Sequence, residues 1–205
     1  MKLEKQARQT GFSLLEAVVV VAIICILVAT SVIGIQQLLS SSRSDAAANT
    51  VVSQLRAARQ LAISRRHNVQ VTVNTTATAP NFAPSISYVE MATGVLTESL
   101  PSAVTVPLPP NTGFILQPGQ GDTPMGFGNT SAVYIGGVSG GPSTMYFSTT
   151  GAFMSGNAPI NGTFFVGISG NPNSERAVTL LGSTGRVRTY YWAGVSTQTP
   201  SGWRE

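Results

Sequence analysis

An apolar run near the N-terminus constrains this chain more than any other feature. The nineteen residues from Ala17 to Ile35 contain no charged side chain. As a helix they would extend about 28 Å, close to the ~30 Å hydrocarbon core of a bilayer. Directly before the run, residues 12–16 read Phe-Ser-Leu-Leu-Glu, and a short basic leader ends at Gly11. The run predicts a single membrane-spanning helix.

The charges of the leader predict how this helix is oriented. Lys2, Lys5 and Arg8 precede the run and are opposed only by Glu4. Because positive flanks favour the cytoplasmic side, we expect a cytoplasmic N-terminus and a remainder on the other side of the membrane, anchored by one span. A cleaved secretory signal is the alternative. Its apolar core would be about 7–15 residues long and its cleavage site close behind, whereas the small-residue triplet at 46–48 lies far beyond this run.

Glu16 is the one charge at the start of this apolar region, where a carboxylate is costly unless a cation meets it. This segment resembles the type IV prepilin signature, which implies cleavage between Gly11 and Phe12. The new amine at Phe12 would then lie about 6 Å from Glu16 along the helix axis. Either its own amine or that of a neighbour displaced along a helical filament could neutralise Glu16. Only the second pairing couples neutralisation to assembly. The plain alternative is an ordinary membrane anchor whose Glu16 lies among the headgroups.

The basic leader, Gly11 and the Phe-Ser-Leu-Leu-Glu segment resemble the type IV prepilin signature, which pilins share with the pseudopilins of type II secretion. The resemblance implies that a prepilin peptidase cuts after Gly11 and methylates the amine of Phe12. Residues 1–11 are then a cleaved leader, and residues 12–39 form the transmembrane and assembly helix.

Composition fits one exported domain behind that anchor. Only 10% of the 205 residues are charged, against about 25% in typical soluble domains. The formal net charge of +4 falls to +2 once residues 1–11 are removed, because nine arginines then face seven acids. Bulk charge therefore says little about partners. The single cysteine, Cys25, lies within the apolar run, so the exported part contains no disulfide.

Helical spacing continues beyond the apolar run. Residues 40–67 contain no proline, and four apolar residues recur at the spacing of one helix face. We therefore predict an amphipathic continuation over 40–67 whose apolar stripe packs on a sheet. Arg56, Arg59 and Arg66 fall on a different face. The stripe consists of Val51, Leu55, Ala58 and Ala62.

Residues 68–205 have the short alternating segments of β-structure. A long stretch from Pro107 to Thr130, with five prolines and five glycines, is expected to be a surface loop that a partner orders. One long helix followed by antiparallel strands predicts an α+β fold, with the helix packed on the β domain. The predicted strands are 68–74, 85–91, 103–107, 132–135, 144–148, 163–169, 177–181 and 186–192.

No arrangement of side chains suggests catalysis. His67 is the only histidine, so no Ser/His/Asp set forms without it. Beside Arg65 and Arg66 it complements the negative end of the helix dipole. Asp122 lies in a glycine-rich segment, but one carboxylate makes a poor Ca²⁺ site. We expect neither an enzyme nor a bound metal or cofactor.

Three further segments resemble the GspH/FimT-type minor pseudopilins and minor pilins. They are the helix end with the first strand (55–73), the Met-Tyr-Phe-Ser-Thr-Thr-Gly strand (145–151) and the closing hairpin (177–188). The resemblance implies a structural subunit that assembles with other minor and major (pseudo)pilins at a filament tip, with an inner-membrane assembly platform, in type II secretion or a type IV pilus. It does not choose between a secretion pseudopilus and a retractable pilus.

DNA binding during natural transformation is a second hypothesis of a different class. Certain FimT-like minor pilins contact DNA through a Gly-Arg-x-Arg motif, which residues 185–188 resemble. Period-two geometry puts Arg186 and Arg188 on one face of a strand, where both can approach phosphates. Stacking of bases on Tyr190, Trp192 and Trp203 would add to this. The plain alternative is a hairpin with two solvent-facing arginines.

Replacing Gly11 by leucine tests the prepilin interpretation directly. If a peptidase requires the small residue at this position, the Gly11→Leu variant keeps residues 1–11. We expect intact-mass analysis of the purified chain to find a precursor without N-methylation, about 1 kDa heavier than the wild-type product. A variant of the same mass as the mature wild-type chain would contradict the interpretation.

Overall fold

A computed structural model describes residues 13–76, 83–91, 103–196 and 201–205, and gives residues 29–38 by their backbone alone. The chain divides into two compact units, Met1–Leu39 and Ser40–Glu205. The predicted leader, with Gly11 and Phe12, lies outside the described residues. Both β-sheets lie in the second unit.

Helix α1 runs from Leu14 to Arg65. It ends two residues before His67, where the sequence predicted its end. Arg66 has a φ of 56°, the left-handed conformation that commonly terminates helices. Within the described part of the chain, no helical segment combines the length and apolar character needed to cross a membrane. The transmembrane segment predicted over 12–39 therefore stays a prediction.

Two antiparallel sheets make up the β part of the Ser40–Glu205 unit. The first has the order β3-β2-β1-β7-β8-β9; the second has the order β13-β12-β11-β10-β5-β6, with β4 also paired to β10. The strands in chain order are β1 Val69–Asn74, β2 Ser85–Glu90, β3 Val104–Pro107, β4 Gly113–Phe114, β5 Val133–Ile135, β6 Val138–Ser139, β7 Met145–Phe147, β8 Phe153–Ser155, β9 Ala158–Pro159, β10 Gly162–Gly167, β11 Arg176–Leu181, β12 Arg186–Trp192 and β13 Trp203–Arg204.

All eight predicted strands are present within two residues of their predicted ends. The strands that sequence reasoning missed are two or three residues long, too short for an alternating pattern to be recognised. They are β4, β6, β8, β9 and β13. The predicted α+β class, with one helix packed on antiparallel sheet, is confirmed.

The apolar stripe of α1 forms the centre of the hydrophobic core. Val51, Leu55, Ala58 and Ala62 are each 0% exposed, as the helical spacing predicted. Both sheets contribute side chains to the same cluster. Alanine at two of the four helix positions allows a close approach of helix and sheet. The first sheet provides Val69, Val71, Ile86, Phe147 and Phe153; the second provides Phe164, Val166, Val178, Leu180 and Val187.

A second, smaller cluster covers the opposite face of the second sheet. Phe165, Ala177, Tyr190 and Trp203 are buried there. Leu116 and Met125, from the long segment between β4 and β5, pack against them, as Trp192 does. The expectation that residues 107–130 form a surface loop ordered only by a partner is therefore wrong. Apolar residues spaced irregularly along this segment pack on the second sheet and cover one of its faces.

Glu175, the residue directly before β11, forms a hydrogen bond with this segment. Its side chain is completely buried, and Oε2 accepts a hydrogen bond from the Gln117 main-chain N–H at 3.1 Å. Oε1 has no partner among the described atoms, and neither does Oε1 of the neighbouring Gln120. Burial raises the pKa of Glu175 to about 8, and this effect outweighs the opposing hydrogen bond from the Gln117 main chain.

Folding stability should therefore depend on pH through Glu175. Between its ordinary pKa of 4.5 and the native value of about 8, the native state holds a proton that the unfolded chain has lost. The free energy of unfolding thus falls as the pH rises through this range and levels off above it. Glu175→Gln cannot titrate. We expect denaturant titrations of the full chain in detergent at pH 5, 7 and 9 to show a flatter profile for this variant.

At pH 9 the variant should be more stable than the wild type, by on the order of 2 kcal/mol once residual solvent screening is allowed for. Glu205→Gln, at an exposed carboxylate, is the matched control and should keep the wild-type slope. Identical pH profiles for Glu175→Gln and the wild type would refute the assignment.

Candidate functional site

An arginine-lined groove of about 1130 Å³ lies in the Ser40–Glu205 unit. One wall is the part of α1 between Asp45 and Gln60, and the other is the hairpin of β11 and β12. Five arginines line it against two acids, Asp45 and Glu205, so the described lining carries a net charge of +3. The arginines are Arg56, Arg59, Arg176, Arg186 and Arg188.

Two of these arginines are held by carboxylates. Arg176 is buried; its Nε donates to Asp45 Oδ1 at 2.6 Å and its Nη2 donates to Ser41 Oγ at 3.0 Å. Arg188 Nη1 donates to Glu205 Oε2 at 3.1 Å. A hydrogen bond with the Tyr190 side chain, and then attraction to Glu205, raise the pKa of Arg188 above its ordinary value. These two cations have partners within the chain.

The other three arginines have no carboxylate within 4 Å among the described residues. Arg59 Nε donates to the Gly151 carbonyl at 3.2 Å. Arg56 and Arg186 are exposed. Sequence reasoning singled out Arg186 and Arg188 and put Arg56 and Arg59 on one helix face. It could not bring these two pairs together, because their proximity depends on how the hairpin packs beside the helix.

The glycine of the Gly-Arg-x-Arg segment has a structural role. Gly185 has a φ of +63°, and a side chain there would collide with the Gly151 carbonyl oxygen and with Arg59. Its main-chain N–H bonds to the Leu181 carbonyl at 2.8 Å and closes the hairpin turn. Glycine at this position is therefore required by the fold, whatever the two arginines do.

The aromatic residues predicted to stack on bases pack inside the protein, in or against the second apolar cluster. Tyr190 and Trp203 are 4% and 3% exposed. Trp203 packs against Trp192 edge-on, with ring centroids 5.2 Å apart, and its Nε1 donates to the Gly121 carbonyl at 2.8 Å. The prediction of base stacking is wrong for Tyr190 and Trp203, because their rings fill the second apolar cluster.

Arg65 and His67, at the C-terminal end of α1, share an acidic partner. Glu90, on β2, accepts a hydrogen bond from Arg65 Nη1 at 3.0 Å through Oε2 and lies 2.7 Å from His67 Nδ1 through Oε1. The three residues link the helix end to the first sheet. Within the described residues, no group of three or more His, Cys, Asp or Glu side chains could hold a metal ion.

The N-terminal part of α1 presents apolar side chains without cover in the isolated chain. Glu16 lies in the first turn of the helix and is exposed. Around it, large apolar side chains from Leu14 to Val28 are exposed by 45% to 82%. Phe12, the predicted partner of Glu16, lies outside the described residues, so the charge pair stays a prediction.

The features described so far define a class of protein. A long N-terminal helix begins with an apolar segment and an acid in its first turn, and its second half packs on antiparallel sheets. Residues 6–32 match the family model described as "Prokaryotic N-terminal methylation motif". The prepilin-type signature inferred from the N-terminal sequence is thereby confirmed.

Solved structures to which the chain is similar include the minor pseudopilin EpsH from the Type 2 Secretion System of Vibrio cholerae. The two chains are 10% identical with a TM-score of 0.45, and the match covers 73% of this chain and 97% of that chain. The type IV minor pilin FimU of Pseudomonas aeruginosa is similar at 15% identity and a TM-score of 0.40, covering 71% and 90%. A second crystal form of FimU is 14% identical with a TM-score of 0.40, and the match covers 75% of this chain and 89% of that chain. No curated protein matches the chain.

The packing of Gly185 can be tested with alanine at two glycines. Gly185 and Gly156 both have positive φ, but nothing lies within 4 Å of a side chain added at Gly156. We expect Gly156→Ala to lower the free energy of unfolding by about 1 kcal/mol. Gly185→Ala should lower it by about 3 kcal/mol, because a backbone carbonyl must also move. Equal losses for both variants in denaturant titrations would contradict the tight packing of this turn.

Proposed function

We propose that this protein is a structural subunit of a type IV pilin-like filament and performs no chemistry of its own. The match of residues 6–32 to the N-terminal methylation motif carries this proposal. The helix packed on antiparallel sheets is the architecture expected for such a subunit. Chemistry at the N-terminus then belongs to the prepilin peptidase, which cuts after Gly11 and methylates Phe12.

The exposed apolar side chains at the N-terminal end of α1 support the proposal that this chain assembles with other subunits. The exposed side chains between Leu14 and Val28 need lipid or other helices around them, since exposed apolar surface of this extent marks an interaction site. In the inner membrane, lipid covers them, with the N-terminus cytoplasmic and the β domain periplasmic. In a filament, the helices of neighbouring subunits cover them instead.

Glu16 would couple these two states. A carboxylate among apolar side chains is costly without a cation, and the Phe12 amine of an adjacent subunit supplies one. Low dielectric strengthens such a pair, although desolvation cancels part of the gain. The pairing therefore favours the register in which each Glu16 meets a neighbour's Phe12.

Within this class we propose a minor subunit of the GspH/FimT type. The segments 55–73, 145–151 and 177–188 support this proposal by their resemblance to that subfamily. Such a subunit acts with other minor and major (pseudo)pilins in filament initiation at the tip, together with an inner-membrane platform. The filament would be either the pseudopilus of type II secretion or a type IV pilus.

DNA binding in natural transformation is our alternative proposal. It is supported by Arg186 and Arg188 on one face of β12 and by the three further arginines of the groove. Burial of Tyr190 and Trp203 weighs against it, as does the ion pair of Arg188 with Glu205.

Glu16→Ala tests the assembly proposal. The variant should be cleaved after Gly11 and methylated like the wild type, because the peptidase site is unchanged. It should enter sheared filaments, or cross-link to neighbouring subunits, at least about ten-fold less. Glu205→Ala, far along the chain, is the control and should assemble normally. Normal assembly of Glu16→Ala would favour the alternative in which Glu16 lies among headgroups.

A titration of the full chain in detergent with duplex DNA tests the alternative proposal. Binding through phosphate contacts should weaken steeply between 50 and 200 mM salt. Replacing both Arg186 and Arg188 by glutamine should reduce affinity at least about ten-fold. Absence of binding at low salt, or equal binding by the double variant, would exclude DNA as a partner of this hairpin.

A further inference from the structure

β12 presents a partly open edge to the arginine groove. Trp192 N–H bonds to the Glu175 carbonyl on the β11 side, and main-chain groups alternate sides along a strand. The N–H and C=O groups of Val187, Thr189 and Tyr191 therefore point away from β11. Among the described residues, β13 pairs only with Tyr191 and Trp192. The outward groups of Val187 and Thr189 face the groove that these residues line.

The short strand β13 indicates what kind of segment this edge accepts. Tyr191 pairs with Arg204 and Trp192 with Trp203 in antiparallel register. The next residue, Glu205, reaches Arg188 with its carboxylate. The chain thus already adds an extended segment to β12 and neutralises one groove arginine with an acidic side chain. In the described ranges of the chain, no segment pairs in this way with Val187 and Thr189.

The remaining charge of the groove is positive. Arg56 and Arg186 are exposed, Arg59 bonds only to a carbonyl, and none of the three has a carboxylate within 4 Å in the described part of the chain. The groove, of about 1130 Å³, is lined by both α1 and the β11–β12 hairpin. It therefore has room for an extended segment of a macromolecule.

We propose that this groove binds an extended acidic peptide segment of another protein, which adds as a strand to the edge of β12 beside Val187 and Thr189. The main chain of the segment would pair with the outward N–H and C=O groups, and its carboxylates would meet Arg56, Arg59 and Arg186. Strand addition of this kind obtains affinity from main-chain bonds and specificity from alternate side chains.

A peptide matches this edge better than a nucleic acid does. Arginines attract phosphate and carboxylate alike, so charge alone does not choose between them. The outward carbonyls of Val187 and Thr189, however, need hydrogen-bond donors, which a phosphate backbone lacks and a peptide backbone supplies. The inference goes beyond the role in filament assembly, and its test does not require a filament.

The probe is an eight-residue peptide that repeats Glu-Glu-Thr-Thr, so that carboxylates lie on both faces of the added strand. It has blocked termini and is titrated calorimetrically into the full chain in detergent. We expect binding that weakens with salt. Two control peptides separate charge from strand pairing. One carries lysine in place of glutamate, and the other carries N-methyl groups on alternate amides of the original sequence. Both should bind at least about ten-fold more weakly, because one loses the carboxylates and the other its main-chain donors.

Variants of the protein then locate the site. Arg56→Gln and Arg186→Gln should each weaken binding about ten-fold, as expected for loss of a charge-assisted contact. Arg43→Gln, an exposed arginine outside the groove, is the matched control and should bind like the wild type. Thr189→Pro removes an outward N–H without touching the β11 ladder, and should weaken binding at least about five-fold. Circular dichroism checks that it folds.

Several outcomes would overturn the proposal. They are equal binding of the N-methylated peptide, equal effects of Arg43→Gln and Arg186→Gln, and no peptide binding at 50 mM salt. A 12-base-pair DNA duplex is titrated in parallel. If only the duplex binds, and Arg186→Gln abolishes that binding, the groove is a nucleic-acid site and the peptide proposal fails. The N-methylated peptide leaves the protein unchanged, so misfolding of a variant cannot hide a negative result.

Discussion

Burial of one helix stripe organises the whole Ser40–Glu205 unit. Val51, Leu55, Ala58 and Ala62 are completely buried in a core to which both sheets contribute. Because this stripe contacts the sheets, the neighbouring helix face that carries Arg56 and Arg59 lies beside the β11–β12 hairpin. Glycine at position 185 allows the hairpin turn to pack closely here, since any side chain there would collide with the Gly151 carbonyl. The arginine groove is thus a consequence of how the core is packed.

The electrostatics of the unit follow from a small number of charges. Glu90 holds Arg65 and lies against His67 where the helix ends, and Asp45 and Glu205 hold one groove arginine each. Glu175 is the exception, because it is buried beside amide and main-chain groups and has a raised pKa. A chain with so few acids leaves three groove arginines without a carboxylate partner in the described residues. That imbalance gives the groove a preference for anionic partners.

The correct and incorrect predictions have physical causes. β1 alternates apolar and polar residues over its six residues, so period-two patterning finds it. The strands of two or three residues form because neighbouring strands offer pairing partners, which no local pattern reveals. The segment from 107 to 130 was misread as an uncovered loop because Leu116 and Met125 are not periodic. Their burial depends on Phe165 and Trp203, which are distant in sequence.

The sequence by itself determined the prepilin-like N-terminus, the long helix with its buried stripe, and the α+β class. These features are local, since each depends on the spacing of residues within one segment. Only the tertiary structure decided the groove, the burial of Tyr190 and Trp203, and the raised pKa of Glu175. Each of these depends on residues far apart in the chain that meet only when the helix, the hairpin and the covering segment pack together.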